Sequence, residues 1–208
     1  MVNSYPLHME SMVKLFKEYD KDMGKLPKLM ISNLVGRRIK DIMKDLIDFF
    51  QLEVNFEKFS QEHSDIFLAL VKSKLKCMPG LLKSLRSFKE NGFKIAMGSS
   101  GSKKYIDIVL KKFKIEDYFD VIVTGDDVKH GKPDPETYLV ASQKLELKPS
   151  ETLVLEDATN GIYSAKAAGC WCIAVVNKIT PPQNLAKADL IVNSLEEIDL
   201  DLINSLNN

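Results

Sequence analysis

The side chains best placed to do chemistry are two adjacent carboxylates, Glu156 and Asp157, met at the end of the apolar run Thr152 to Leu155. A small-residue turn follows them, then a helical pattern from Ile162 to Ala168 that stops at Gly169. Such a stretch describes a buried parallel strand, a loop at its carboxyl end and a helix packed back on the sheet. Ligands of open α/β sheets bind at that edge. Paired carboxylates held there can seat a hard divalent cation, which takes oxygen ligands. The same pair can also be an acidic helix start, with Asp157 as the cap and Glu156 in solvent.

Two more polar loops follow apolar runs and should reach the same rim. Ser99 lies in Gly98-Ser99-Ser100-Gly101-Ser102, after the run Phe93 to Met97 and before a helix from Lys103 to Phe113. A hydroxyl beside free N–H groups at a helix start can cradle a phosphate. Lys132 stands between Gly131 and Pro133, after the strand Val121 to Thr124, and extends a cation from a loop of restricted backbone. An ammonium beside an oxyanion stabilises developing phosphoryl charge. Singly these are a polar turn, a solvated lysine and a capped helix. Together, at successive strand ends, they point to phosphate-plus-metal chemistry.

The elements that must position them fall into two parts. Residues 1–76 are helical in pattern, over His8 to Tyr19, Arg38 to Phe50 and Phe59 to Lys74, with no evident strand. Between those helices Gly36-Arg37-Arg38 with Lys40 forms a basic knot, which is either a solvated helix start or a ligand-facing loop. Residues 77–208 alternate helices and short apolar strands, as right-handed crossovers on a parallel sheet require. The last two strands are expected at Cys172 to Val176 and Leu190 to Val192.

The totals narrow the function further. The 29 basic and 29 acidic side chains cancel, which gives no reason to expect nucleic acid or an anionic membrane as partner. No apolar run reaches membrane-spanning length, and the opening residues carry no secretory pattern. Cys77, Cys170 and Cys172 lack metal-ligand spacing and read as small buried thiols, in keeping with a reducing cytoplasm; a monomer is expected.

With Ser99, Lys132 in Gly131-Lys132-Pro133-Asp134-Pro135, and Glu156-Asp157 in place, the chain resembles the haloacid dehalogenase superfamily over nearly its whole length. The similarity is to the branch with a helical cap, which holds β-phosphoglucomutases and phosphatases of sugar phosphates. It implies a Rossmann-like parallel α/β core over 77–208 closed by a cap over 1–76. It also implies Ser99 and Ser100 on phosphate, Lys132 on phosphate and on the nucleophile's charge, and Mg²⁺ on Glu156 and Asp157. Arg37, Arg38 and Lys40 would then face the substrate, a small phosphorylated metabolite, from the cap.

The resemblance departs from the family at its chemical centre. The family carries an Asp-x-Asp-Gly motif at the end of a first, central strand; its first Asp takes the phosphoryl group and its second is the general acid/base. Here Val2-Asn3-Ser4-Tyr5-Pro6-Leu7-His8 resembles the segment just after that motif. Asp20-Lys21-Asp22 follows a helix, and Asp199-Leu200-Asp201 lacks a following glycine, so neither pair replaces it. The expectation is an amino-terminally truncated form of an active enzyme, inactive or severely impaired as written. The family's strand order puts a gap of roughly 9–10 Å, two strand spacings, between the strands before Ser99 and Glu156. The competing expectations are a non-catalytic phosphate- or metal-binding regulatory protein and a cap-mediated interaction module.

Overall fold

The computed structural model describes residues 2–206. The chain opens with four helices, α1 (Tyr5–Glu18), α2 (Lys28–Asn33), α3 (Ile39–Phe50) and α4 (Phe56–Lys74). Pro6 sits in the first turn of α1, where a missing N–H breaks no helical bond. The carboxamide of Asn55 caps α4 by accepting the N–H of Lys58. Phe16, Met43, Leu46 and Phe59, all fully buried, join these helices in a core of their own. The far end of α4 leaves that core: Phe67, Leu68 and Val71 pack with Met97, Ile106, Leu110 and Ile173 beneath the sheet. The helix α2, absent from the sequence expectation, has six residues and buries none, so it offers no apolar stripe to read.

The rest alternates as the pattern requires: α5 (Leu81–Glu90), β1 (Ala96–Gly98), α6 (Lys103–Phe113), β2 (Val121–Val123), α7 (Glu136–Lys144), β3 (Leu153–Glu156), α8 (Thr159–Ala168), β4 (Trp171–Val175), β5 (Leu190–Val192) and α9 (Leu200–Ser205). All pairings among these strands are parallel. They form two sheets, β1 with β2, and β3-β4-β5 in that order. Among the described residues β1 and β3 do not pair with each other, so each keeps one free edge. Met97 and Gly98 from β1 and Leu155 and Glu156 from β3 line one cavity of about 410 Å³, which extends under α1 and α4.

Several sequence expectations shift by a few residues, with identifiable causes. β1 starts at Ala96 rather than at Phe93, whose ring is exposed. The N–H of Ile95 goes instead to the carboxylate of Asp120. α8 starts at Thr159, ahead of its apolar run, with Ala158 in the cap position and no side-chain cap. Asp157 is therefore not the helix cap that an acidic helix start would make it. The two other Asp pairs serve local turns: Asp22 accepts the N–H of Gly24, and Asp199 caps α9 through the N–H of Leu202. Cys170 and Cys172 are buried side chains of the core. Among the described residues no helix is long and apolar enough to cross a membrane.

Candidate active site

Lys132 reaches the rim from the loop after β2, joined to Pro133 by a cis peptide bond. Its ammonium donates to Glu156 Oε1 at 2.6 Å, to the Tyr138 hydroxyl at 2.7 Å and to the Gly98 carbonyl at 3.1 Å. Three donors meet three acceptors, and no proton on Nζ is left over. The Tyr138 hydroxyl donates its own hydrogen bond to Glu156 Oε1, and Glu156 Oε2 accepts the N–H of Asp157. The side chains of Lys132 and Glu156 are 5% and 10% exposed, so this ion pair is screened little by water. Burial alone would raise the Glu156 carboxyl, but the Lys132 charge and the hydrogen bonds from Lys132, Tyr138 and Asp157 lower it below its ordinary value. Burial and the neighbouring Glu156 charge push the Tyr138 hydroxyl well above its ordinary value, so it stays a proton donor.

Gly161 makes room for this pair. A Cβ there would stand 2.1 Å from the Glu156 carboxyl carbon, so α8 can approach Glu156 only through glycine. Tyr138 is the participant that sequence reasoning missed. Its one signal is position, six residues after Lys132 and on the first turn of the helix that the Lys132 loop enters.

Ser99 is placed by β1, and its N–H bonds the carbonyl of Val123 on β2 at 2.9 Å. Its hydroxyl accepts the N–H of Gly101 at 3.1 Å and lines the cavity beside Lys132, Glu156 and Asp157. The expected convergence of the three strand ends on one rim is thus present in the geometry. Ser100 also lines the cavity, but its hydroxyl is engaged by the Gly36 carbonyl at 2.7 Å, a tie between the core loop and the helical part. Of the two carboxylates, Asp157 is the one with no cation on it among the described residues; Asn177 Nδ2 donates to its Oδ2 at 2.7 Å. An oxygen-only donor set suits Mg²⁺ by type. The Glu156 carboxylate, however, is neutralised by Lys132, and no three His, Cys, Asp or Glu side chains gather as a metal cluster among the described residues. The residues present supply half a metal site.

The basic knot divides. Arg37 and Lys40 line the cavity, with Arg37 bound to Asp45 at 2.7 Å. Arg38, expected to face substrate, is instead buried against the core: it forks onto Asp41 and donates to the carbonyls of Val128 and Lys129. A guanidinium finding carboxylate and carbonyl partners together is better satisfied there than in a cavity.

The opposite wall of the cavity, from α1 and α4, carries His8, Ser60 and His63. The Ser11 hydroxyl donates to the carbonyl of His8 and makes a 2.9 Å hydrogen bond with His63 Nε2. Burial lowers His63 to about 4, and burial with the His63 charge lowers His8 to about 3, so both rings are neutral at pH 7. His8 Nδ1 and Ser60 Oγ are buried with no partner among the described residues.

Comparisons with known proteins agree with the geometry. The phosphorylated carbohydrates phosphatase of Thermotoga maritima is 29% identical over 208 residues, covering 95% of this chain and 94% of that one. Hexitol phosphatase A of Escherichia coli is 38% identical over 123 residues, 58% of this chain and 55% of that one. The fold matches the crystal structure of β-phosphoglucomutase from Clostridium difficile with a TM-score of 0.85 and 24% identity, over 99% of this chain and 92% of the other. Residues 1–175 match the haloacid dehalogenase-like hydrolase family, and the chain belongs to that family, in the branch of β-phosphoglucomutases and sugar phosphatases.

Proposed function

We propose that these residues are the substrate-binding core and cap of a Mg²⁺-dependent phosphatase or phosphomutase acting on a small phosphorylated metabolite such as a sugar phosphate. The observation that carries this is the meeting of Ser99, Lys132, Glu156 and Asp157 on one cavity beneath the helical part. The phosphatase relatives and the phosphorylated carbohydrates named for one of them support the substrate class. The N–H groups of the Ser99 loop and the Ser99 hydroxyl bind phosphate oxygens, and Lys132 sets the charge at the rim. Arg37 and Lys40, from the helices over residues 5–76 acting as a cap, reach the remainder of the substrate. A bound Mg²⁺ neutralises phosphoryl charge, and Asp157, with Glu156 behind it, is the carboxylate that remains to hold it.

The nucleophile is the part these side chains do not supply. The free edges of β1 and β3 face the same cavity, and a strand hydrogen-bonded between them would deliver a carboxylate next to Lys132 and Asp157. That carboxylate attacks phosphorus and expels the substrate's hydroxyl, and water then cleaves the acyl phosphate. The 208 residues alone are then inert. The test is phosphate release from a panel of hexose and hexitol phosphates with Mg²⁺, by the 208-residue chain and by the chain extended with an apolar strand ending in Asp-x-Asp-Gly. Turnover only in the extended protein is expected; turnover by the 208 residues alone would sink the strand requirement. No turnover in either protein, with phosphate still bound, would favour a non-catalytic binding protein, a reading that the neutralised Lys132–Glu156 pair also supports.

A further inference from the structure

Arg38 sits immediately before α3, in the helical part, yet it is only 7% exposed because its side chain lies against the core. Nε and Nη2 fork onto the Asp41 carboxylate at 2.7 and 3.2 Å. Nη1 donates to the carbonyls of Val128 and Lys129, both at 3.0 Å. The same short segment is gripped from the core side, where the N–H groups of Lys129 and His130 both donate to the Glu136 carboxylate at 2.8 Å. Its carbonyls thus belong to the helical part and its N–H groups to α7. The next residue, Gly131, carries the stem of Arg38 on its Cα: a Cβ there would stand 2.6 Å from Nε and 2.9 Å from Cγ and Cδ. The residue after that is Lys132.

This contact is one of three from a single stretch. Ser100, in the loop after β1, donates to the carbonyl of Gly36, and Asn160, in the first turn of α8, donates to the carbonyl of Val35 at 2.8 Å. Residues 35–38 therefore touch the loops after β1 and β2 and the first turn of α8 at once. If the helical part lifts, all three ties go to water together, and the Lys129–Gly131 backbone keeps its grip on Glu136 and the bond from the Asp134 N–H to the Gly131 carbonyl.

We propose that Arg38 is a positioning residue that couples the seating of the helical part to the placement of Lys132. With the helices seated, the guanidinium completes the hydrogen bonding of the segment leading into Lys132 and holds the ammonium on Glu156. With the helices lifted, that segment loosens and the ammonium loses its fixed position. The site is then assembled by the same movement that covers it. Its consequence for turnover rests on the phosphoryl-transfer reading above; the coupling itself does not.

Hydrogen exchange and side-chain NMR of the whole chain, without substrate, test the coupling in wild type, Arg38→Lys, Arg38→Ala and Glu136→Gln. A charge-assisted hydrogen bond is worth roughly a factor of ten in an opening equilibrium. Arg38→Lys is expected to speed exchange at the Lys129 and His130 amides about tenfold and to shift the Lys132 Nζ resonance, with β4 amides unchanged. Arg38→Ala should do more of the same, and Glu136→Gln should move both readouts from the core side. If Arg38→Ala also speeds β4 and so unfolds the protein, Arg38→Lys decides by the same criterion. Wild-type exchange at Lys129 and His130, or an unmoved Lys132 resonance, would overturn the coupling and leave Arg38 as a local partner of Asp41. Because no substrate is present, neither result bears on whether the protein transfers phosphate.

Discussion

The two walls of the cavity differ in how completely their polar groups are paired. On the core wall, Lys132, Tyr138 and Glu156 form a closed set in which every ammonium proton has an acceptor. On the helical wall, His8 Nδ1 and Ser60 Oγ are buried without a partner among the described residues. Buried polar groups are nearly always hydrogen-bonded, so unpaired ones gathered on one side of a cavity mark where something else belongs. The core wall is preorganised for charge; the helical wall is preorganised for an occupant.

The largest effect should come from breaking the closed set. Lys132→Ala leaves the Glu156 carboxylate buried without its cation, and removing one partner of a buried pair costs about 3–5 kcal/mol. Urea unfolding at pH 7 measures it, and a loss under about 1 kcal/mol would mean the pair is wetter than its burial implies.

The helical wall should answer to acid instead. The unfolded chain protonates His63 near its ordinary 6.5, whereas the folded protein resists until about 4. Stability is therefore full above pH 6.5 and falls as pH drops toward 4, by about 1.4 kcal/mol per pH unit for this one ring. Glu156, whose pKa is lowered from 4.5, keeps its contribution until the pH passes below that value. The two walls should thus lose stability in separate windows. His8, lowered to about 3, adds a like contribution in the upper window, so His63→Gln should roughly halve the slope of thermal melts between pH 7 and 5; an unchanged slope would remove His63 as a source.

A smaller effect is expected from Gly161→Ala, whose Cβ would collide with the Glu156 carboxyl. Overpacking of this kind costs about 1–3 kcal/mol, and here it should also displace Glu156 from Lys132. A crystal structure of the variant with the ion pair intact would contradict that. The least should come from Arg37→Ala. The Arg37–Asp45 pair is 25% and 44% exposed, and such pairs contribute about 0–1 kcal/mol, so melting should barely change. A cost of several kcal/mol would make Arg37 part of the framework rather than of the cavity lining.

The sequence reveals the strand ends but not the traffic between them. Ser99, Lys132, Glu156 and Asp157 are legible because each follows an apolar run, and parallel topology obliges such ends to share a rim. Tyr138 is hidden because nothing in a helix pattern tells which polar tip reaches a lysine one loop away. Arg38 misleads for a related reason. A basic cluster at a helix start looks solvated or ligand-facing, and its partners, two carbonyls 90 and 91 positions further on, leave no mark in local spacing. The helices α2 and α9 are six residues each and bury nothing, so they carry no periodicity to detect.

The closed set also bears on how an anion finds this cavity. An ammonium 2.6 Å from a carboxylate is, a few ångströms out, a dipole rather than a charge, and its field fades quickly in water. Arg37 is likewise matched by Asp45, whereas Lys40 takes part in no ion pair among the described residues. Among the cations lining the cavity, Lys40 is therefore the one left to attract an anion from a distance, and the association rate should respond only weakly to ionic strength. The deep cation, already paired, does little to draw an anion in from a distance.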